Sequence, residues 1–211
     1  MSAGAAGAGR RAPARILGDV PLTVWECISM KRLLSLVAVL ALAMNVSAAE
    51  PSKSECLAIG EHVDAFNVRD VTGPNKDKTL CLRCKYGNRP VVAIFTRNVD
   101  KKVAELTKQI DKKVVDNKDA RMAAFVIVLT EEPDKVEGTL KEVAKANEIK
   151  ETPLTLFEDA TGPKEYKIAK DAETTVMMWV EGKLKVNKAF AKGELKDESI
   201  KELVESTKEI L

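Results

Sequence analysis

Two uninterrupted apolar runs constrain this chain more than any other feature. They are Pro90 to Phe95 (Pro-Val-Val-Ala-Ile-Phe) and Met122 to Leu129, both rich in β-branched residues. A strand that is apolar on both sides of its pleat must be covered on both faces, as happens in the interior of a parallel sheet. Between the runs, Val99, Val103, Leu106, Ile110 and Val114 recur at helical spacing, with Lys and Asp on the opposite side. The spacing predicts an amphipathic helix that crosses from one strand to its parallel neighbour.

The remainder of the chain extends this α/β pattern. Pro133 is placed to open a second helix, whose apolar face is Val136, Leu140, Val143 and Ala144 and which runs to about Asn147. Thr152-Pro153 leads into a third core strand, Leu154 to Phe157, and Gly162-Pro163 marks a turn. Thr174 to Val180 and Leu184 to Val186 flank Glu181-Gly182, a hairpin-like turn that predicts an antiparallel edge. Met177-Met178-Trp179 reads as core strand. Asp197 is expected to cap a last helix with Ile200, Leu203, Val204 and Ile210 inward. Upstream, His62 to Val68 alternates as a short extra strand, Gly73-Pro74-Asn75 is a turn, and residues 76–88 read as a loop carrying Cys81 and Cys84.

The N-terminus carries an export pattern. Met30-Lys31-Arg32 is a positive start, Leu33 to Met44 is apolar but too short to span a bilayer, and Val46 to Ala49 supplies small residues for cleavage. Residues 30–49 are therefore expected to be a signal peptide. Residues 1–29 are expected to be a dispensable leader upstream of the true start, and residues 50–211 a single domain. The product is expected to be exported, periplasmic or extracellular, and its mature form not to span the membrane. Five basic and two acidic residues lie in 1–49, so the formal charge of +2 becomes −1 for residues 50–211. Lys and Glu are interspersed there without a basic block, which gives no footprint for nucleic acid.

Three cysteines remain after the leader: Cys56, Cys81 and Cys84. The Cys81-Leu82-Arg83-Cys84 spacing allows a redox dithiol, with Arg83, Lys85 and Arg89 close in sequence to favour a thiolate. One of the pair bonded to Cys56 would instead be a structural staple. Cys56 and His62 would complete a Cys₃His zinc set with the pair, a reading that an oxidising compartment disfavours. Lys85 stands where haem attachment needs His. No cofactor and no metal are expected, and His62 reads as a surface residue beside a strand.

Three segments resemble the thioredoxin-like superfamily, in its redoxin branch of peroxiredoxins and secreted thiol oxidoreductases. Gly60 to Gly73 is similar to the opening of such members, Gly87 to Phe95 to their first core strand, and Ile149 to Phe157 to the segment bearing their cis-proline. The resemblance implies a three-layer α/β fold: a mixed central sheet with an extra N-terminal strand and helices on both faces. It also implies a reactive cysteine just after the first core strand, facing a cis-proline loop at Thr152-Pro153 that would hold substrate. The stretch Thr96 to Lys102 contains no cysteine. The family position is vacant, and Cys81 and Cys84 precede the strand, toward the opposite end of the sheet.

The expected function is an exported thiol-disulfide oxidoreductase that uses the displaced pair Cys81 and Cys84, with Cys81 attacking by family habit. Its expected partners are cysteine-containing envelope proteins. The alternative is a non-catalytic binding module whose cysteines are structural.

Overall fold

The computed structural model describes residues 56–211; the expected leader and signal peptide lie outside them. One sheet of seven strands organises these residues, in the order β2-β1-β5-β4-β3-β6-β7. The two apolar runs form β3 (Val91–Thr96) and β4 (Ala123–Leu129), parallel, adjacent and buried along their whole length. β5 (Leu154–Phe157) continues the parallel set outside β4. On the other side of β3, the hairpin of β6 (Thr174–Val180) and β7 (Lys183–Phe190) runs antiparallel. Its turn places Glu181 and Gly182 at φ 54° and 73°, a left-handed pair that suits the twist of a two-residue hairpin.

The extra N-terminal strand is present, but its place differs from expectation. β1 covers Val68–Asp70 and pairs antiparallel with β5 and with β2 (Thr79–Leu80). Residues 62–67 make only an isolated bridge between His62 and Lys183. The backbone of this segment is instead laid against the β6–β7 turn: Val63 N–H donates to Gly182 and Leu184 N–H to Glu61, both at 2.9 Å.

Successive residues of a strand face opposite sides, so each core strand divides its side chains between two clusters. Val92, Ile94, Val126 and Met178 face one side, which is covered by α2 (Lys101–Asp116), α3 (Pro133–Ala146) and α4 (Asp197–Ser206). Val91, Ala93, Phe95, Phe125 and Trp179 face the other. That side is covered by the 57–66 segment, a one-turn helix α1 (Leu82–Tyr86) and a 3₁₀ turn at Lys164–Tyr166. Helical residues thus lie on both faces, but the three long helices share one. The second face is aromatic: Phe66 packs on Phe95, Phe125, Phe157 and Tyr166 at centroid distances of 4.8–6.4 Å.

Helix entries follow the sequence with one exception. Asp100 caps α2, its carboxylate accepting from the amides of Lys102 and Val103 at 2.9 Å. Pro133 opens α3. Asp197 does not cap α4. Lys196 holds that position without a side-chain bond, and Asp197 lies in the first turn, where it is paired with Lys102 of α2.

Candidate functional site

Cys81 and Cys84 are joined by a disulfide, with Cα atoms 5.2 Å apart. The segment expected to be a loop is ordered around it. Leu82 and Tyr86, one helical turn apart, bury themselves in the aromatic cluster at 1% and 9% exposure. That leaves Cys84 and Lys85 on the exposed side of α1, with Cys81 half-buried at its cap. The Cys84 amide donates to Cys81 Sγ at 3.0 Å. Arg83 fastens the helix from behind, its Nε donating to the Val63 carbonyl at 3.0 Å and Nη1 to the Gly87 carbonyl at 3.3 Å. Gly182 has φ 73°, a conformation that favours glycine, and a Cβ there would stand 2.4 Å from Arg83 Nη2, so the guanidinium that docks α1 would have to shift. Cys56 is not bridged. Among the described residues no group of three or more His, Cys, Asp or Glu is placed to hold a metal, so the Cys₃His set with His62 does not assemble.

The pair lies beside the start of β3, while the vacant family position, residues 97–102, lies beyond its end. There the N-terminal amides of α2 are already taken by Asp100, a carboxylate where the family places a thiolate. The backbone facing this end is Glu173-Thr174, which enters β6: Arg97 N–H donates to the Glu173 carbonyl at 2.9 Å, and Thr96 pairs with Thr174.

Thr152-Pro153 therefore does not face residues 97–102. Its strand is added outside β4, away from β3, and no peptide bond among the described residues is cis. The expected cis-proline at Pro153 is trans, and both its position and its isomer are corrected. The topology brings Pro153 instead to the side of the Cys81–Cys84 helix. Pro153 and Tyr86 border the same open groove, about 690 Å³ in volume. Asp111, 7% exposed, holds the entry to β5: its carboxylate accepts from the amides of Lys150, Glu151 and Thr152 at 3.2, 2.8 and 2.7 Å.

Sequence reasoning missed this groove because its cations are scattered along the chain. Lys85, Arg89, Lys118, Arg121 and Lys150 converge there from three stretches of the chain. Arg89 is fixed in position, with Nε donating to the Arg121 carbonyl at 2.6 Å and its guanidinium 5.3 Å from the Tyr86 ring centre. Burial pushes the Tyr86 phenol up to about 12, against a smaller opposing pull from Arg89.

No family model and no curated protein sequence matches the chain. Solved structures do. A candidate protein disulfide isomerase from Bacteroides thetaiotaomicron superposes with a TM-score of 0.55 at 21% identity, covering 74% of this chain and 91% of that one. A peroxiredoxin-like protein from Aquifex aeolicus gives 0.54 at 13% identity, covering 74% and 89%. A candidate thiol:disulfide interchange protein DsbE from Chlorobium tepidum gives 0.51 at 14%, covering 70% and 98%. The chain has a thioredoxin-like fold. Its structural neighbours include both peroxiredoxin-like and disulfide-exchange proteins, as the redoxin resemblance implies, and it carries its Cys-x-x-Cys disulfide away from the usual place.

Proposed function

We propose that this protein is an exported thiol-disulfide oxidoreductase in which the Cys81–Cys84 pair cycles between disulfide and dithiol, acting on cysteine-containing proteins of the cell envelope. One observation carries the reading: the bridge joins Cys81 to Cys84 rather than either to Cys56, on the exposed side of a one-turn helix. Export rests on the Met30–Ala49 sequence pattern.

The different exposures of the two residues support a division of roles. Cys84 is exposed and Cys81 half-buried, so a substrate thiolate attacks Cys84 Sγ. The Cys81–Cys84 bond breaks, and Cys81 leaves as a thiolate that the Cys84 amide already faces. A second substrate thiolate then attacks the mixed disulfide and releases Cys84. The substrate leaves as a disulfide, and its two protons end on Cys81 and Cys84. A disulfide-bearing partner protein reverses these steps and restores the bridge. Cys84, not Cys81, is then the attacking thiol in the reducing direction, contrary to family habit.

Two measurements test this in a Cys56→Ser background. The Cys81→Ser variant, which keeps Cys84, should trap mixed disulfides with a disulfide-containing protein, and Cys84→Ser should trap far fewer. The pair should titrate in a glutathione buffer between about −270 and −120 mV, the range of exchange catalysts. A bridge resisting reduction below about −300 mV would be structural. That outcome would favour the second reading, a binding module, which the occupied α2 N-terminus supports: Asp100 leaves no place there for a thiolate.

A further inference from the structure

The groove beside α1 has a chemistry of its own. Five cations, Lys85, Arg89, Lys118, Arg121 and Lys150, line it with a single carboxylate, Glu151. That carboxylate is already paired with Lys118 at 3.4 Å. Two further acids lie nearby, both buried and committed to backbone amides: Asp111 to those of residues 150–152, and Asp70 to those of Gly73 and Asn75. Five cations against three acids leave positive charge in excess on one side of a chain whose residues 50–211 carry a formal charge of only −1. Part of it is preorganised. Arg89 is held by the carbonyls of Arg121 and Met122, and Arg121 sits at φ 55°, a left-handed conformation that a non-glycine residue adopts at a cost. Apolar side chains, among them Val114, Met122 and Pro153, contribute to the lining.

The groove is also placed for the exchange reaction. Lys85 and Tyr86 line it, and Lys85 directly follows the exposed Cys84. An extended chain bound there would carry a neighbouring residue past the disulfide. Single-stranded nucleic acid, the other polyanion, needs exposed aromatic faces for its bases. Tyr86 is buried, covered by Arg89 and packed on Phe125 at 5.9 Å, so it offers none.

We propose that this groove binds an acidic segment of a partner polypeptide and presents the cysteine beside that segment to Cys84. The proposal rests on the redox reading above and names its substrate class: proteins whose reactive cysteines are flanked by Asp and Glu.

The binding step is separable from the chemistry. In the Cys81→Ser/Cys84→Ser double variant, a short fluorescent Glu/Gly peptide without cysteine is titrated at low and at physiological salt. A Lys/Gly peptide and oligothymidylate of equal length are run in parallel. The acidic peptide should bind, weaken as salt screens the contacts, and bind about tenfold more weakly when Lys118→Glu and Lys150→Glu are combined. Both lysines are exposed, and Lys85→Glu on α1 gives an independent second test. Lys192→Glu, outside the groove, should change nothing. Equal binding of the basic peptide, indifference to the groove variants, or tighter binding of oligothymidylate would each overturn the proposal. In the wild-type protein, exchange should be faster with a mixed disulfide flanked by Glu than with one flanked by Lys. Cycling of the pair with no such preference would sink the groove and spare the redox reading. Binding of the acidic peptide to a protein whose bridge proves inert would do the reverse.

Discussion

Gly73 shows how little freedom single residues have around the groove. The fully buried Asp70 turns its carboxylate to the amides of Gly73 and Asn75, at 2.7 and 2.9 Å, and so shapes the turn after β1. A Cβ at residue 73 would stand 2.6 and 2.7 Å from the two carboxylate oxygens and 2.8 Å from Pro153 Cβ. Neither neighbour can yield: Asp70 is held by its hydrogen bonds, and Pro153 is a rigid ring at the entry to β5. Gly73→Ala should destabilise the protein by about 1–3 kcal/mol, the range for overpacking a tight site, read as a lowered midpoint in urea with an unchanged slope. The turn itself is legible in Gly73-Pro74-Asn75. The requirement for glycine is not, because the atoms that crowd it come partly from Pro153, far along the chain.

At the scale of elements, Asp111 acts for a whole loop. It lies on α2, yet its carboxylate orders the backbone of residues 150–152, which forms one wall of the groove. Asp111→Ala strands three amides and should cost about 3 kcal/mol or more. Asp111→Asn keeps the oxygen that serves Glu151 and Thr152 and should cost about 1 kcal/mol. Urea unfolding gives both values, and hydrogen exchange should show faster amides at residues 150–152 in the Ala variant but at Lys150 alone in the Asn variant. The long elements were readable because each repeats its period several times: the helical stripe of Val103, Leu106, Ile110 and Val114, and the unbroken runs of β3 and β4. Helix α1 was not, since one turn offers only Leu82 and Tyr86 and no period. The strand order was also hidden. Nothing local to Thr152-Pro153 says that β5 pairs outside β4, and that single pairing moves the proline from one end of the site map to the other.

For the whole molecule, the distribution of layers matters most. Three long helices shield one face of the sheet, while the face bearing the cysteines is closed by one turn of helix, a 3₁₀ turn and the 57–66 segment over an aromatic floor. Two tyrosines lie in that floor. Tyr166 donates its hydroxyl to the Asp64 carbonyl at 2.7 Å, and burial raises its phenol well above the ordinary 10.0. Burial likewise raises Tyr86 to about 12. Both are raised, so the folded protein keeps protons that the unfolded chain releases near pH 10. Their stabilising contribution is complete below pH 10 and is lost as the pH climbs through 12, by roughly 1 kcal/mol per pH unit for each ionising phenol. Melting temperatures followed from pH 9 to pH 12 should fall across that window, and a Tyr86→Phe variant should fall less steeply. Such a floor was legible as apolar sequence. That nearly all of its rings belong to one side of the sheet was not, because the side follows from the parity of strand positions set by the register.

The bridge spans only three positions of sequence. A cross-link limits an unfolded chain in proportion to the logarithm of the loop it closes, and a ring this small restricts the denatured ensemble by about 2 kcal/mol at most. Leu82, Tyr86 and Arg83 anchor α1 by contacts that do not involve sulfur. Opening the bridge therefore leaves the scaffold standing. Oxidised and reduced forms should therefore be two redox states of one architecture, and a partner that distinguishes them must read the two sulfur atoms themselves rather than a rearranged fold.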